Sequence, residues 1–371
     1  MPKGTKTSRA RWRKIWKDWG LFLVAVALIL IGGLVALVIR TCRGERPPEI
    51  NPSAPYRIYF TQGDSGEATP DGLEAVIIKD IAAAQSSVEV ATPGLDLTLL
   101  ADALVATHGR GVQVRVLEEA AAQESAEVMA VTEQLRAAGI EVVLREAPGA
   151  LGGAFIVVDQ SLVWAGSWDL SEQGLEWDDA VVLRWDIPQM AIDFHTEFEE
   201  MFVDGAYGPS SPADTPHKYL AIVVPSDDAG RAASIYLTPE DNFFSQLLQI
   251  MASVKGEIIF LTEDIDDARI GDRLIAESGR TDIALWGVVG KSGSDSLIVA
   301  EIRANEAGVV DYRGSGVLRE SVIVVDGETV CFFSQPLLGT GLDQNDGYVI
   351  IIADTDVGAI MQREFGRLAR Q

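Results

Sequence analysis

The sequence predicts a duplicated α/β fold held to a membrane by one spanning helix. Three observations predict it: a 19-residue uncharged run near the N-terminus, strands alternating with helices beyond it, and a repeat whose matching residues lie 167 positions apart. The length of 371 residues allows two to three domains, at about 100–200 residues each. With 47% apolar and 23% charged residues the chain reads as globular, which excludes disorder, collagen and coiled coil as the dominant state.

Charge is divided unevenly. Residues 1–46 carry ten cations and two anions, so the other 325 residues hold 20 cations against 53 anions, a net of −33. Such a body repels phosphate backbones and anionic lipid surfaces, so no nucleic-acid partner is expected.

Residues 1–20 form a basic segment and residues 21–40 the predicted transmembrane anchor. Leu21 to Ile39 is free of charge and, at about 1.5 Å per residue, reaches the roughly 30 Å of a bilayer core. Seven cations precede it and three follow, so the positive-inside bias places the N-terminus in the cytoplasm and the remainder outside, as a single-pass protein of the plasma membrane. Trp12, Trp16 and Trp19 share one helical face where an interfacial belt would sit. A cleaved signal peptide is the rival reading, but its apolar region is usually about 7–15 residues with small residues at the cut. Cys42 lies at the outer surface and Cys331 in a predicted buried strand, which argues against an internal bridge; a Cys42–Cys42 link or a free thiol stays open.

Residues 41–55, with Pro47, Pro48, Pro52 and Pro55, read as a stalk. A second break at residues 204–217 separates a first half, 56–203, from a second, 218–371. In the first half strands are predicted at Arg57–Phe60, Val88–Ala91, Val112–Leu117, Ile140–Leu144, Phe155–Val158, Leu162–Ala165 and Ala180–Arg184. Helical spacing covers Pro70–Ala84, Leu97–Thr107, Ser125–Ala138 and Pro188–Phe202, with Thr69 as a cap before Pro70. At one offset of 167, Phe155–Asp159 matches Val322–Asp326, Ser167 matches Ser334, and Gly174-Leu175 matches Gly341-Leu342. So do Asp178-Asp179 with Asn345-Asp346 and Glu197-Phe198 with Glu364-Phe365. The shift drifts to 169 at Gly139/Gly308, 170 at Thr92/Thr262 and 177 at Tyr59/Tyr236. Duplication of one α/β unit explains the pattern.

The run Leu151 to Asp169, with its strand ending in Asp159, the following strand and Gly166-Ser167-Trp168-Asp169, resembles the repeat of the phospholipase D superfamily. That repeat carries H-x-K-x(4)-D, a strand with G-S-x-N, a Gly-Leu and Asn/Asp-rich loop, and a helix with Glu-Phe near its end. The resemblance spans about Tyr56–Phe202 and Tyr219–Leu368. It implies an α-β-α sandwich in which two repeats face each other across a pseudo-twofold cleft. In active members, it implies, one His attacks phosphorus, the other protonates the leaving oxygen, and two Lys neutralise the phosphoryl charge.

Carried over by position, the aspartates are Asp159 and Asp326, but the first His position is Gly152 and its Lys position Ala154. In the second repeat these are Arg319 and Ser321. Covalent transfer needs an activated nucleophile and a positioned acid, and phosphoryl oxygens need cations or aligned donors; Gly and Ala supply neither. Asp169 stands at the first Asn position, and Ser334-Gln335-Pro336 has lost the second. His108, His195 and His217 fall beside no motif aspartate and read as structural. Asp159 and Asp326 suit strand-to-strand turns, Asp326-Gly327 above all. Arg319 suits either an anionic ligand or an ion pair with an acidic neighbour. Asp343–Gly347 departs from a calcium-loop pattern, and it and the cluster Glu263, Asp264, Asp266, Asp267 read as solvated acidic loops.

No catalytic residue, cofactor or metal is therefore expected. Binding candidates are Asp159, Ser167, Asp169, Arg319, Asp326 and Ser334, and the expected partners are the bilayer, through Leu21 to Ile39, and a protein or small molecule in the cleft. The expected function is a catalytically inactive, membrane-anchored binding or scaffolding protein. Two rivals remain: a phosphodiesterase or phospholipase using a non-standard nucleophile such as Ser321 or Asp326, and a structural, membrane-proximal acidic module.

Overall fold

Continuous β-branched runs such as Phe155–Val158 and Val322–Val325 are buried on both faces, which is what strands covered on two sides require. A computed structural model describes residues 50–371 apart from 64, 65, 68, 70, 147, 148, 225 and 226. The predicted anchor, Cys42 and most of the stalk lie outside the described residues, and among those described no helix is long and apolar enough to cross a membrane.

The first repeat runs β1 (Tyr56–Phe60), α1 (Leu73–Ala83), β2 (Ser87–Thr92), α2 (Thr98–Gly109), β3 (Gln113–Glu119), α3 (Ala126–Ala137), β4 (Glu141–Arg145), β5 (Phe155–Val158), β6 (Leu162–Gly166), α4 (Glu172–Glu176), β7 (Val181–Trp185) and α5 (Pro188–Glu199). The second runs β8 (Tyr219–Val224), β9 (Asp227–Thr238), α6 (Phe244–Ala252), β10 (Glu257–Thr262), α7 (Ala268–Ser278), β11 (Ala284–Val289), α8 (Leu297–Ala304), β12 (Gly308–Asp311), β13 (Val322–Val325), β14 (Thr329–Phe333), α9 (Gly339–Gln344), β15 (Gly347–Ala353) and α10 (Thr355–Leu368). Local chemistry sets several starts. Ser125, Asp267 and Asp354 accept backbone N–H groups at the heads of α3, α7 and α10, and Pro188 opens α5.

Sheet order is β1-β7-β6-β5-β2-β3-β4 in the first repeat and β8-β9-β15-β14-β13-β10-β11-β12 in the second. The two orders match strand for strand once β8 is set aside as an extra edge. Pairing register supports the match, since Tyr59 opposes Val182 as Tyr236, 177 positions later, opposes Val349, 167 positions later. One expected correspondence is corrected. Gly308 opposes Trp286 as Glu141 opposes Arg115, so Gly308 is equivalent to Glu141 and not to Gly139. The true counterpart of Gly139 (φ 87°) is Glu306 (φ 63°), at the same offset of 167 and in the same left-handed turn.

The expected helix over Pro70–Ala84 also starts later, at Leu73. Gly72, at φ 86°, precedes it without a side-chain cap, and Thr69 only accepts the Gly72 N–H through its carbonyl, because the chain turns there before it coils.

Three apolar clusters make five layers. Helices α1–α3 cover the outer face of the first sheet and α6–α8 that of the second. Between the sheets lies one shared core in which Met190, Phe194 and Phe198 of α5 and Val357, Ile360 and Met361 of α10 pack against inward residues of both sheets. Each such side chain contributes about 1.5–3 kcal/mol on burial, so the two repeats stand or fall together.

Candidate functional site

The ends of the sheets meet at the seam in two symmetry-related backbone bridges, Leu151 with Asp346 and Leu318 with Asp179, again 167 apart. Between them opens a cleft of about 260 Å³. Gly152, Ser167 and Asp169 line it from the first repeat and Arg319, Ser334 and Gln335 from the second. The structure thus brings four of the predicted binding residues together: Ser167, Asp169, Arg319 and Ser334.

Asp159 and Asp326 are elsewhere, at the far ends of β5 and β13, in left-handed turn positions (φ 52° and 55°). Asp159 accepts from the backbone N–H groups of Gln85, Ser86 and Ser87 and from Ser86 Oγ. Asp326 accepts from the N–H groups of Lys255, Gly256 and Glu257. Each carboxylate ties the hairpin to the start of β2 or β10. Burial raises the Asp159 pKa, but these hydrogen bonds to its charged form outweigh it and hold the group below its ordinary value.

The positions matched to the His and Lys of the repeat are filled or buried. A Cβ on Gly152 would come within 2.8 Å of the Gln335 side chain, which occupies that space and is itself held by Asn345 Nδ2 at 2.9 Å. Ala154 is fully buried. Its carbonyl accepts from Tyr348 Oη at 2.7 Å and Trp168 Nε1 at 2.8 Å, and the same Tyr348 hydroxyl lies 2.8 Å from both the N–H and the carbonyl of Gly166. A tyrosine from the second repeat thereby plugs the floor beneath the first motif. Ser321 is fully buried, with Thr262 Oγ1 3.5 Å from its hydroxyl. Ser167 and Ser334 secure strand ends, each meeting a backbone N–H of the neighbouring strand, at Val181 and Tyr348.

Arg319 takes the ion-pair role. Its Nε lies 2.5 Å from Asp178 Oδ2 and its Nη2 2.9 Å from Asp169 Oδ2, both carboxylates belonging to the other repeat. Behind it the seam is carboxylate-rich. Asp179 accepts from Tyr312 Oη at 2.5 Å and pairs with Arg367, which also pairs with Glu364. Its symmetry counterpart Asp346 lies 2.5 Å from Arg145 Nη2. Glu320 and Glu364, both fully buried, face each other; burial first and the neighbouring Glu364 second push the Glu320 pKa well above the ordinary range. Sequence reasoning missed Gln335, Tyr348 and this network. The matched pair Asp178-Asp179 and Asn345-Asp346 was the available signal.

No histidine enters the cleft. His195 Nδ1 lies 2.9 Å from Glu89 and its Nε2 beside Gln160, His217 pairs with Asp193 at 3.0 Å, and His108 sits behind Gly139. Two groups among the described residues converge as metal ligands could, Glu89/His195/Glu199 and Asp179/Glu320/Glu364. Each is already met by a guanidinium, Arg115 on Glu89 and Glu199 and Arg367 on Asp179 and Glu364. The acidic stretches are likewise engaged: Asp343 pairs with Arg269, Asp346 with Arg145, and Asp267 caps α7.

Residues 77–202 match the family described as cardiolipin synthase, PLD-like domain. Phosphatidylserine synthase of Haemophilus influenzae Rd KW20 has a similar fold, with a TM-score of 0.62 at 12% identity over 85% of this chain and 86% of that one. So does polyphosphate kinase of Porphyromonas gingivalis, with a TM-score of 0.58 at 12% identity over 84% of this chain; the chain spans only half the length of that kinase. No curated protein matches the sequence.

Proposed function

We propose that the chain is a catalytically silent member of the phospholipase D superfamily that binds a protein or small molecule in the inter-repeat cleft, tethered outside the plasma membrane by Leu21 to Ile39. The observation that carries this reading is the fate of the four motif positions: Gly152 faces Gln335, Ala154 and Ser321 are buried, and Arg319 is spent on Asp178 and Asp169. No histidine or lysine lines the cleft among the described residues, so the groups that would attack phosphorus and protonate the leaving oxygen in active members are not at hand there. The rival nucleophiles are poorly placed, since Ser321 is enclosed and Asp326 accepts three backbone N–H groups at the far end of β13. Phospholipid synthesis, the activity of one structural neighbour by its name, is not carried over for the same reason.

The test is hydrolysis of a chromogenic aryl phosphodiester by the full chain in detergent. Wild type is expected to show no turnover. The quadruple variant Gly152→His, Ala154→Lys, Arg319→His, Ser321→Lys is also expected to be inactive, because a side chain at 152 collides with Gln335 and the cleft loses its Arg319 ion pairs. Turnover by wild type that disappears in Ser321→Ala or Asp326→Ala would establish an enzyme instead, and brisk turnover by the restored variant would mean a cleft still pre-organised for transfer.

A further inference from the structure

Away from the cleft, on the second repeat, a groove of about 500 Å³ runs between the loop after β10, the first turns of α7 and the head of α8. Its apolar wall is Leu297 and Ile298, and its rim carries Asp264, Asp266, Asp272 and Asp295. Leu297 is 86% exposed, more than any other large apolar side chain among the described residues. Asp266, Asp272 and Asp295 are exposed, and neither Asp272 nor Asp295 has an ion-pair partner among the described residues.

The duplication isolates what the fold does not demand. Helices α3 and α8 each begin one residue after a serine, Ser125 and Ser296, in equivalent places behind β3 and β11. The first repeat continues with Ala126-Glu127 where the second has Leu297-Ile298. A leucine is therefore no requirement of this helix start. Burying its apolar side chain would be favourable, yet it is left in water.

Three ligand chemistries can be weighed. Phosphates and anionic headgroups are repelled by four carboxylates. A single metal ion needs converging oxygens, and the groove's acids are not among the two groups that converge. A polypeptide that alternates cations with apolar side chains fits both the wall and the spread charge, by electrostatic complementarity around an apolar anchor.

We infer that the groove bounded by Leu297, Ile298, Asp264, Asp266, Asp272 and Asp295 docks a basic, amphipathic segment of a partner protein. This surface is separate from the cleft and stands independently of the reading given to it. Docking is tested by fluorescence anisotropy of the full chain in detergent, with a labelled peptide alternating Lys and Leu and an all-Lys peptide of equal length. The Lys/Leu peptide is expected to bind more tightly than the all-Lys one. Its Kd is expected to rise about tenfold in Asp272→Asn/Asp295→Asn and about threefold in Leu297→Ser, as removal of two exposed charges and one apolar contact implies. Asp282→Asn, which changes an exposed acid held by Arg280 elsewhere on the same repeat, is expected to leave the Kd unchanged. All three are surface changes, and thermal unfolding reports whether each variant is folded. Groove variants that bind like wild type, or an equal loss in Asp282→Asn, would assign binding to diffuse negative charge and overturn the proposal. Displacement of the peptide by stoichiometric calcium would overturn it in favour of an ion site.

Discussion

At the scale of single residues, the surviving motif aspartates explain themselves without chemistry. Asp326 accepts three N–H groups ahead of and at the start of β10, and Asp159 does the same for β2. Asp326→Ala is expected to lower stability by about 1–3 kcal/mol, measured by denaturant unfolding, with no effect on ligand binding in the cleft. Asp159 adds a pH dependence of known sign. Its folded pKa lies below the ordinary 3.8, so its contribution is complete above that value and fades as pH falls through the folded pKa. Asp159→Asn should remove that acid limb from a melting-temperature profile. The turn role was legible from Asp326-Gly327, because turn chemistry is local; the partners on β2 and β10, about seventy positions away, were not.

Elements show the same division. Strand limits followed the β-branched runs closely, and α5 began at Pro188 as its fixed backbone angle dictates. The short helix α4 escaped notice because five residues hold no period, and the match of Gly139 with Gly308 failed because glycine identity stood in for ladder register. Pinning of one repeat on the other also belongs to this scale. Arg319→Ala would strand Asp178, a fully buried carboxylate, and unpair Asp169. The expected loss is about 1–3 kcal/mol, seen in chemical denaturation together with faster amide exchange at Val317 and Arg319. Arg319→Lys should rescue little, since a point charge cannot bridge two carboxylates as a planar fork does. Tyr348→Phe, which strips hydrogen bonds from Ala154 and Gly166 in the buried floor, is expected to be destabilising by a similar amount in the same measurement.

For the whole molecule the governing feature is acid buried in an already acidic body. Burial, then the hydrogen bond and charge of Asp214, raise Glu200 to about 8, and burial with the charge of Asp241 raises Glu240 to about 7. Glu197 and Glu320 are raised well above their ordinary value, by burial first and then by Glu240 and Glu364 respectively. These groups keep their protons in the folded chain and release them on unfolding above an ordinary value of 4.5. Their stabilising share is complete below that value and is lost as pH rises through about 7 to 8. Melting temperature is expected to fall from about pH 5 to pH 9, the reverse of the trend set by Asp159 at lower pH, and Glu200→Gln should flatten the upper part of the curve.

Read alone, the sequence determined the duplication, the α/β class and which residues stand at the positions matched to the two His–Lys pairs, because these rest on residue type at fixed spacing, which survives without knowledge of any contact. Only the tertiary structure decided what surrounds those positions: Gln335 against Gly152, Tyr348 beneath Ala154, Arg319 on Asp178, Arg367 on Asp179. The partners in those last three contacts stand 194, 141 and 188 positions apart, and no local pattern specifies which distant side chain will fill a space until two sheets close on one core.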